Sequence, residues 1–223
     1  MKPLSIPLAA PLHTLVLIGG GEFSFGDTRE IDTLLLGRMP PGRRTIAFLP
    51  TASGSAEYAS HIGRYFHELD PTVETVNVPI YRGRDSRRQK SLAAIAGAGL
   101  IYLGGGVTNQ LLMTIRETPT DAAIREAAAN GAIVAAIGAA ASCFGTYARD
   151  MRGGSVLPAL GWLANTVIDT GFEPQNDQVL RRLMSLPEVT LGVGIPAKTA
   201  LVIDADGASA IAGDGQIAVF RKA

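Results

Sequence analysis

Gly131-Ala-Ile-Val-Ala-Ala-Ile-Gly138-Ala-Ala-Ala141 is the stretch on which the reading of this chain turns. Residues 132–137 form an unbroken apolar run of strand length, with β-branched Ile133, Val134 and Ile137 among them, as a strand buried on both faces requires. Gly138 interrupts the run, and the alanines after it favour a helix. A strand that turns abruptly into a helix points the side chain at its apex out of the sheet. It also aims the first N–H groups of the helix at whatever binds there. Here the apex is glycine, so the junction keeps its shape and carries no side-chain chemistry.

Working outward, short apolar runs alternate with helical patterns. Strands are predicted at Thr14–Ile18, Thr45–Leu49, Val73–Val78, Leu100–Leu103 and Ala132–Ile137. Between them lie predicted helices at Thr28–Leu36, Ala56–Leu69, Ser86–Ile95, Thr108–Ile115 and Thr120–Asn130, the last closed by Gly131. This alternation predicts an α/β fold with a doubly wound, mostly parallel sheet flanked by helices. Near the C-terminus, Ala200–Asp204, Ala208–Ala212 and Gln216–Phe220 are separated by Asp206-Gly207 and Asp214-Gly215, which predicts an antiparallel meander on one sheet edge. Residues 1–223 read as one domain, with residues 1–13 as an N-terminal arm.

The composition narrows the function. With 20 basic and 20 acidic residues the formal charge is zero, which argues against nucleic acid as a partner. Arg82, Arg84, Arg87, Arg88 and Lys90 read as a solvated loop and helix start. The single cysteine, Cys143, excludes an internal disulfide and suits a cytoplasmic location. No run is apolar and long enough to span a bilayer, and the first twelve residues lack the apolar core and cleavage site of a signal peptide. No HExxH, paired histidine or CxxC spacing occurs, so no metal or cofactor is expected. Gly19-Gly-Gly21 departs from the Gly-x-Gly-x-x-Gly of dinucleotide folds, and there is no Walker lysine.

Leu17-Ile-Gly-Gly-Gly-Glu22, Ala47-Phe-Leu-Pro-Thr-Ala-Ser53 and Ile101-Tyr-Leu-Gly-Gly-Gly-Val-Thr-Asn-Gln-Leu-Leu112 precede the junction in that order, and Ala159-Leu-Gly-Trp-Leu163 and Gly194-Ile-Pro-Ala-Lys-Thr-Ala-Leu201 follow it. Together they resemble the dipeptidase E and cyanophycinase family of serine peptidases, from about Thr14 to Phe220. The resemblance implies a glutamine amidotransferase-like, flavodoxin-like fold, a peptide or amino-acid-like ligand and a homodimer.

The family's chemistry needs a serine nucleophile, a histidine to take its proton and an acid to orient the histidine. The resemblance maps Gly-x-Ser-Ala-Gly-Ala onto Ala136-Ile137-Gly138-Ala139-Ala140-Ala141, so the serine position is Gly138. The family's His-Phe pair falls on Gly171-Phe172, so the histidine position is also glycine. Asp150 matches the orienting acid at an altered spacing, a vestige with no imidazole to hold. The resemblance further assigns oxyanion binding to Gly104, Gly105, Gly106 and the amide of Ala139, although a triple glycine also serves a tight turn. Glu22, after the first glycine run, is placed to face the crevice, whereas Asp169, Glu173 and Asp177 read as an exposed acidic loop.

Three readings follow. The chain is an inactive homologue that keeps a crevice for a small peptide or amino-acid-like ligand. Alternatively it is an active serine- or cysteine-type hydrolase with a relocated nucleophile, Ser142 or Cys143, in Ala141-Ser-Cys-Phe-Gly145. That segment lies a helical turn past the junction, and His13, His61 and His67 all precede it, so a base is missing. Cys143 otherwise reads as a small buried apolar residue. The third reading is a structural or interaction protein whose crevice binds no ligand.

Overall fold

The computed structural model describes residues 4–150 and 154–222. Its first half alternates β1 (Thr14–Ile18), α1 (Arg29–Arg38), β2 (Thr45–Leu49), α2 (Ala56–Leu69), β3 (Glu74–Asn77), α3 (Gln89–Gly97), β4 (Leu100–Leu103), α4 (Thr108–Ile115), α5 (Pro119–Ala129) and β5 (Ile133–Ile137). Then come α6 (Ala139–Ser142), β6 (Tyr147–Arg149), β7 (Val156–Pro158), β8 (Thr166–Thr170), α7 (Gln178–Met184), β9 (Leu191–Ile195), β10 (Thr199–Asp204), β11 (Ser209–Gly213) and β12 (Ala218–Arg221).

The main sheet runs β11-β10-β1-β5-β4-β2-β3. Its members β1, β5, β4, β2 and β3 are parallel, while β10 and β11 are antiparallel. β1, β4 and β5 are buried at every position, which is why they read as continuous apolar runs. Alternate residues still face opposite ways. Leu15, Leu17, Ile101, Leu103, Val134 and Ala136 enter one core with α3, α4 and α5. Val16, Ile18, Leu100, Tyr102, Ile133 and Ala135 enter the other with α1 and α2.

A second sheet, β12-β9-β8-β6-β7, contributes Ile168, Leu191, Val193 and Ile195 to the first core. The fold class stands as read, with one correction. Asp206-Gly207 closes the β10–β11 hairpin, with Gly207 at φ 79°. Asp214-Gly215 does not close another: β12 leaves the main sheet and pairs with β9. The pull is packing, because Phe220 of β12 meets Phe172 edge-on at 6.2 Å. The helix predicted from Ser86 begins instead at Gln89, after a 3-10 turn over Gly83–Arg87, where buried Asp85 accepts the N–H groups of Tyr81 and Arg82. From Leu4 onward the arm is fastened down. Ser5 bridges Ala208, Leu8 bridges Leu163, and Ile6 is buried. Residues 1–3 of the predicted arm lie outside the described residues.

Asp32, on α1, is fully buried and accepts the Tyr65 hydroxyl at 2.8 Å. Burial lifts its carboxyl from 3.8 to about 6, against the nearby hydroxyls of Thr28, Tyr65 and Tyr102, which favour ionisation. The folded state therefore holds this proton more tightly than the unfolded chain. Its contribution makes stability fall as pH rises from about 4 to about 6, and the penalty is constant above that. At 1.36 kcal/mol per pH unit the penalty at neutral pH is on the order of 3 kcal/mol. Asp32→Asn is expected to raise the unfolding free energy at pH 7 by up to about that amount and to give no such gain at pH 4. Urea melts of both proteins at the two pH values check this, and an equal gain at both would assign the effect to packing.

Candidate functional site

Adjacent strands β1 and β5 send their chains to opposite faces. α1 packs in the core with Val16, whereas Ala140 and Ala141 of α6 pack in the core with Leu15. Connections that diverge in this way open a crevice beyond the carboxyl ends of the strands. A cavity of about 380 Å³ lies there, and Gly21, Glu22, Tyr58, Gly105, Gly106, Gly138 and Ala139 line it.

The strand-to-helix junction has the backbone of a sharp elbow, with Gly138 at φ 57° and ψ −125°. Residues with a Cβ adopt such angles only under strain, and glycine adopts them freely. A Cβ built at Gly138 meets nothing within 4 Å, so the cavity has room for a side chain the sequence does not supply. Gly171 repeats this pattern at φ 63°, again with open space where a Cβ would stand. The two positions are tied to consecutive carbonyls at the end of β1. Gly138 N–H donates to Ile18 O at 2.8 Å, and Gly171 N–H donates to Gly19 O at 2.7 Å. Both positions that the resemblance assigns to serine and histidine are thus bare backbone tied to the end of β1, and of the two Gly138 lines the cavity.

The amides predicted to hold an oxyanion sort into two groups. Those of Gly106 and Ala139 donate to no carbonyl among the described residues and border the cavity. Gly104 sits beneath it. Its N–H is engaged by Leu49 O at 3.0 Å, and a Cβ there would stand 2.7 Å from the Tyr58 ring and 2.8 Å from Phe48. Gly105 lines the cavity, with its amide beside the Tyr58 hydroxyl. Burial pushes that phenol up to about 12, so Tyr58 is a hydrogen-bond donor at neutral pH and not a base. Glu22 is held by its backbone, whose N–H donates to Asp27 Oδ2 at 3.1 Å. Asp27 pairs in turn with Lys198 Nζ at 2.7 Å, and this hydrogen bond, with the Glu22 amide, holds the Asp27 carboxyl below its usual range. Tyr58 escaped the sequence reading because it sits on α2, remote from every glycine motif; its only signal is its place in the first turn of a helix that follows a strand.

Other candidates lie elsewhere. Asp150 is in the β6–β7 connection, where its Oδ2 accepts the Ser155 hydroxyl at 3.2 Å. The Ser142 hydroxyl and the Cys143 thiol both turn back onto Ala139 O, at 2.9 and 3.2 Å. Cys143 is fully buried, and burial pushes its thiol well above the ordinary value. His13, His61 and His67 are exposed, and none lines the cavity. Asp169, read as part of an exposed loop, is instead on β8, where burial lifts its carboxyl to about 6 against the opposing charge of Arg149. Among the described residues no cluster of His, Cys, Asp or Glu could hold a metal ion, and no helix is long and apolar enough to cross a membrane.

A parallel sheet with diverging β1 and β5 connections and an elbow flanked by free amides defines a doubly wound α/β fold with a strand-end crevice. Residues 15–211 match Peptidase family S51, and the chain belongs to that family. It is 32% identical over 136 residues to YgaJ, an uncharacterized peptidase of Bacillus subtilis, a match spanning 60% of this chain and 56% of that protein. It is 27% identical to the cyanophycinase of Trichormus variabilis, over 98% of this chain and 77% of that protein. The crystal structure of a peptidase from an acI-B1 Actinobacterium shares the fold, with a TM-score of 0.78 over 94% of this chain and 91% of that one, at 22% identity.

The glycines differ in what they tolerate. Gly138→Ala is expected to cost only the backbone strain, about 1–3 kcal/mol. Gly106→Ala is expected to cost more, because its Cβ would lie 2.3 Å from the Ala52 carbonyl. Thermal melts of the two variants rank them, and the opposite order would contradict this placement of the loops. Native protein treated with iodoacetamide should leave Cys143 unlabelled until denaturant is added; mass mapping of the thiol reads the result.

Proposed function

We propose that this member of Peptidase family S51 binds a small peptide or amino-acid-like molecule in the strand-end crevice and does not hydrolyse it. The observation that carries the reading is Gly138, an elbow in the strained backbone geometry with no side chain at its apex. In this reading the amides of Gly106 and Ala139, which border the cavity, receive a carbonyl or carboxylate oxygen, and the Glu22 carboxylate receives an ammonium group. Tyr58, protonated at neutral pH, supplies a further donor. Hydrolysis needs a nucleophile and a base within proton-transfer reach, and the residues lining the crevice supply neither a hydroxyl of low pKa nor an imidazole. A bound peptide is polarised and then left intact.

Purified protein incubated with aspartyl dipeptides and β-aspartyl-arginine is expected to show no turnover, while the same compounds raise its melting temperature. Turnover of these compounds would sink the reading, and its loss in Ser142→Ala or Cys143→Ala would identify a relocated nucleophile. In the converse experiment, Gly138→Ser combined with Gly171→His is expected to restore slow hydrolysis of a bound dipeptide, measured by release of the free amino acid.

A further inference from the structure

We propose that the ligand site does not end at the crevice but continues as a trough over α2 that takes acidic residues of an extended peptide. The inference rests on the crevice binding the amino-terminal part of that peptide. A second cavity, of about 620 Å³, shares Glu22, Phe23 and Tyr58 with the crevice, so the two adjoin along these residues. Its wall is aromatic: the Phe23 ring stacks near Tyr58 at 6.0 Å and tilts against Tyr65 at 5.2 Å.

The charges along this trough are ordered. Glu57, His61, Arg64 and Glu68 all line it, and their spacing places them on one face of α2. Because α2 starts at the carboxyl end of β2, Glu57 lies at the crevice end and Glu68 at the far end. Between them stand His61 and Arg64, joined by Arg29 of α1, whose charge acts on the Tyr65 hydroxyl. Neither Arg29 nor Arg64 makes an ion pair among the described residues. An ammonium group at Glu22 and carboxylates two or three residues along the chain, beside Arg29 and Arg64, complement the near part of this order, and Glu68 closes its far end.

Isothermal titration with Ala-Ala, Ala-Ala-Gln-Gln and Ala-Ala-Glu-Glu tests the proposal. Two exposed charge contacts lead us to expect Ala-Ala-Glu-Glu to bind about tenfold more tightly than Ala-Ala-Gln-Gln at low salt. In the double variant Arg29→Gln/Arg64→Gln the ratio is expected to fall to near one, with an unchanged melting temperature and unchanged affinity for Ala-Ala. Equal affinities for the two tetrapeptides in the native protein, or an advantage that survives the double substitution, overturn the trough. If Ala-Ala still binds in those cases, the crevice reading stands. Failure of all three peptides to bind overturns both.

Discussion

The site depends on how closely the end of β1 approaches the turn between β9 and β10. A Cβ at Gly19 would lie 2.0 Å from Pro196 O, so no other residue fits between these backbones. That contact is locked by hydrogen bonds on both sides. Gly19 N–H donates to Thr199 O and Lys198 N–H donates to Gly20 O, both at 2.9 Å. The carbonyls of Ile18 and Gly19 are then left pointing at the chain on either flank, and they take the amides of Gly138 and Gly171. One close backbone approach thus sets where the elbow and the loop after β8 stand relative to each other.

The crevice has two kinds of component, backbone and side chain, and they depend on the fold differently. Backbone components, namely the elbow and the amides of Gly106 and Ala139, follow from the parallel register of β1 with β5 and from the glycine loops. They persist because the fold itself uses that geometry. Side-chain components can be deleted without disturbing it. Removing the Cβ at a position with φ 57° also relieves strain, on the order of 1–3 kcal/mol for such a conformation. A side chain at this position would bring that strain back, so glycine here favours the native state.

Tight packing of the second sheet fixes the neighbouring Ser142 and Cys143 in the interior. α6 is a single turn that ends against β8, where a Cβ at Gly145 would meet Thr166 O at 2.4 Å. The chain is therefore drawn inward after the elbow. Cys143 and Phe144 become core residues, Phe144 packing edge-on against Trp162 at 5.1 Å. The thiol is thus fixed in an apolar interior away from solvent.

Much of this architecture was legible in the residues alone. β1, β2 and β4 and helices α2 and α4 fall on the predicted bounds, because buried parallel strands and amphipathic helices write strong local patterns. The bare apex at Gly138 was legible for the same reason, as a glycine closing an apolar strand. β9 was not: its Leu-Gly-Val-Gly-Ile has glycines where Met184 and Phe172 press against the backbone, which erases the strand signal. The departure of β12, the role of Tyr58 and the burial of Asp169 depend on partners remote in the chain. The sequence by itself determined the fold class and the absence of a hydroxyl at the elbow, since both are local properties of residue type. Only the tertiary structure decided which amides stay free, which hydroxyl faces the crevice and where the charged trough runs, because those depend on contacts between segments that only folding brings together.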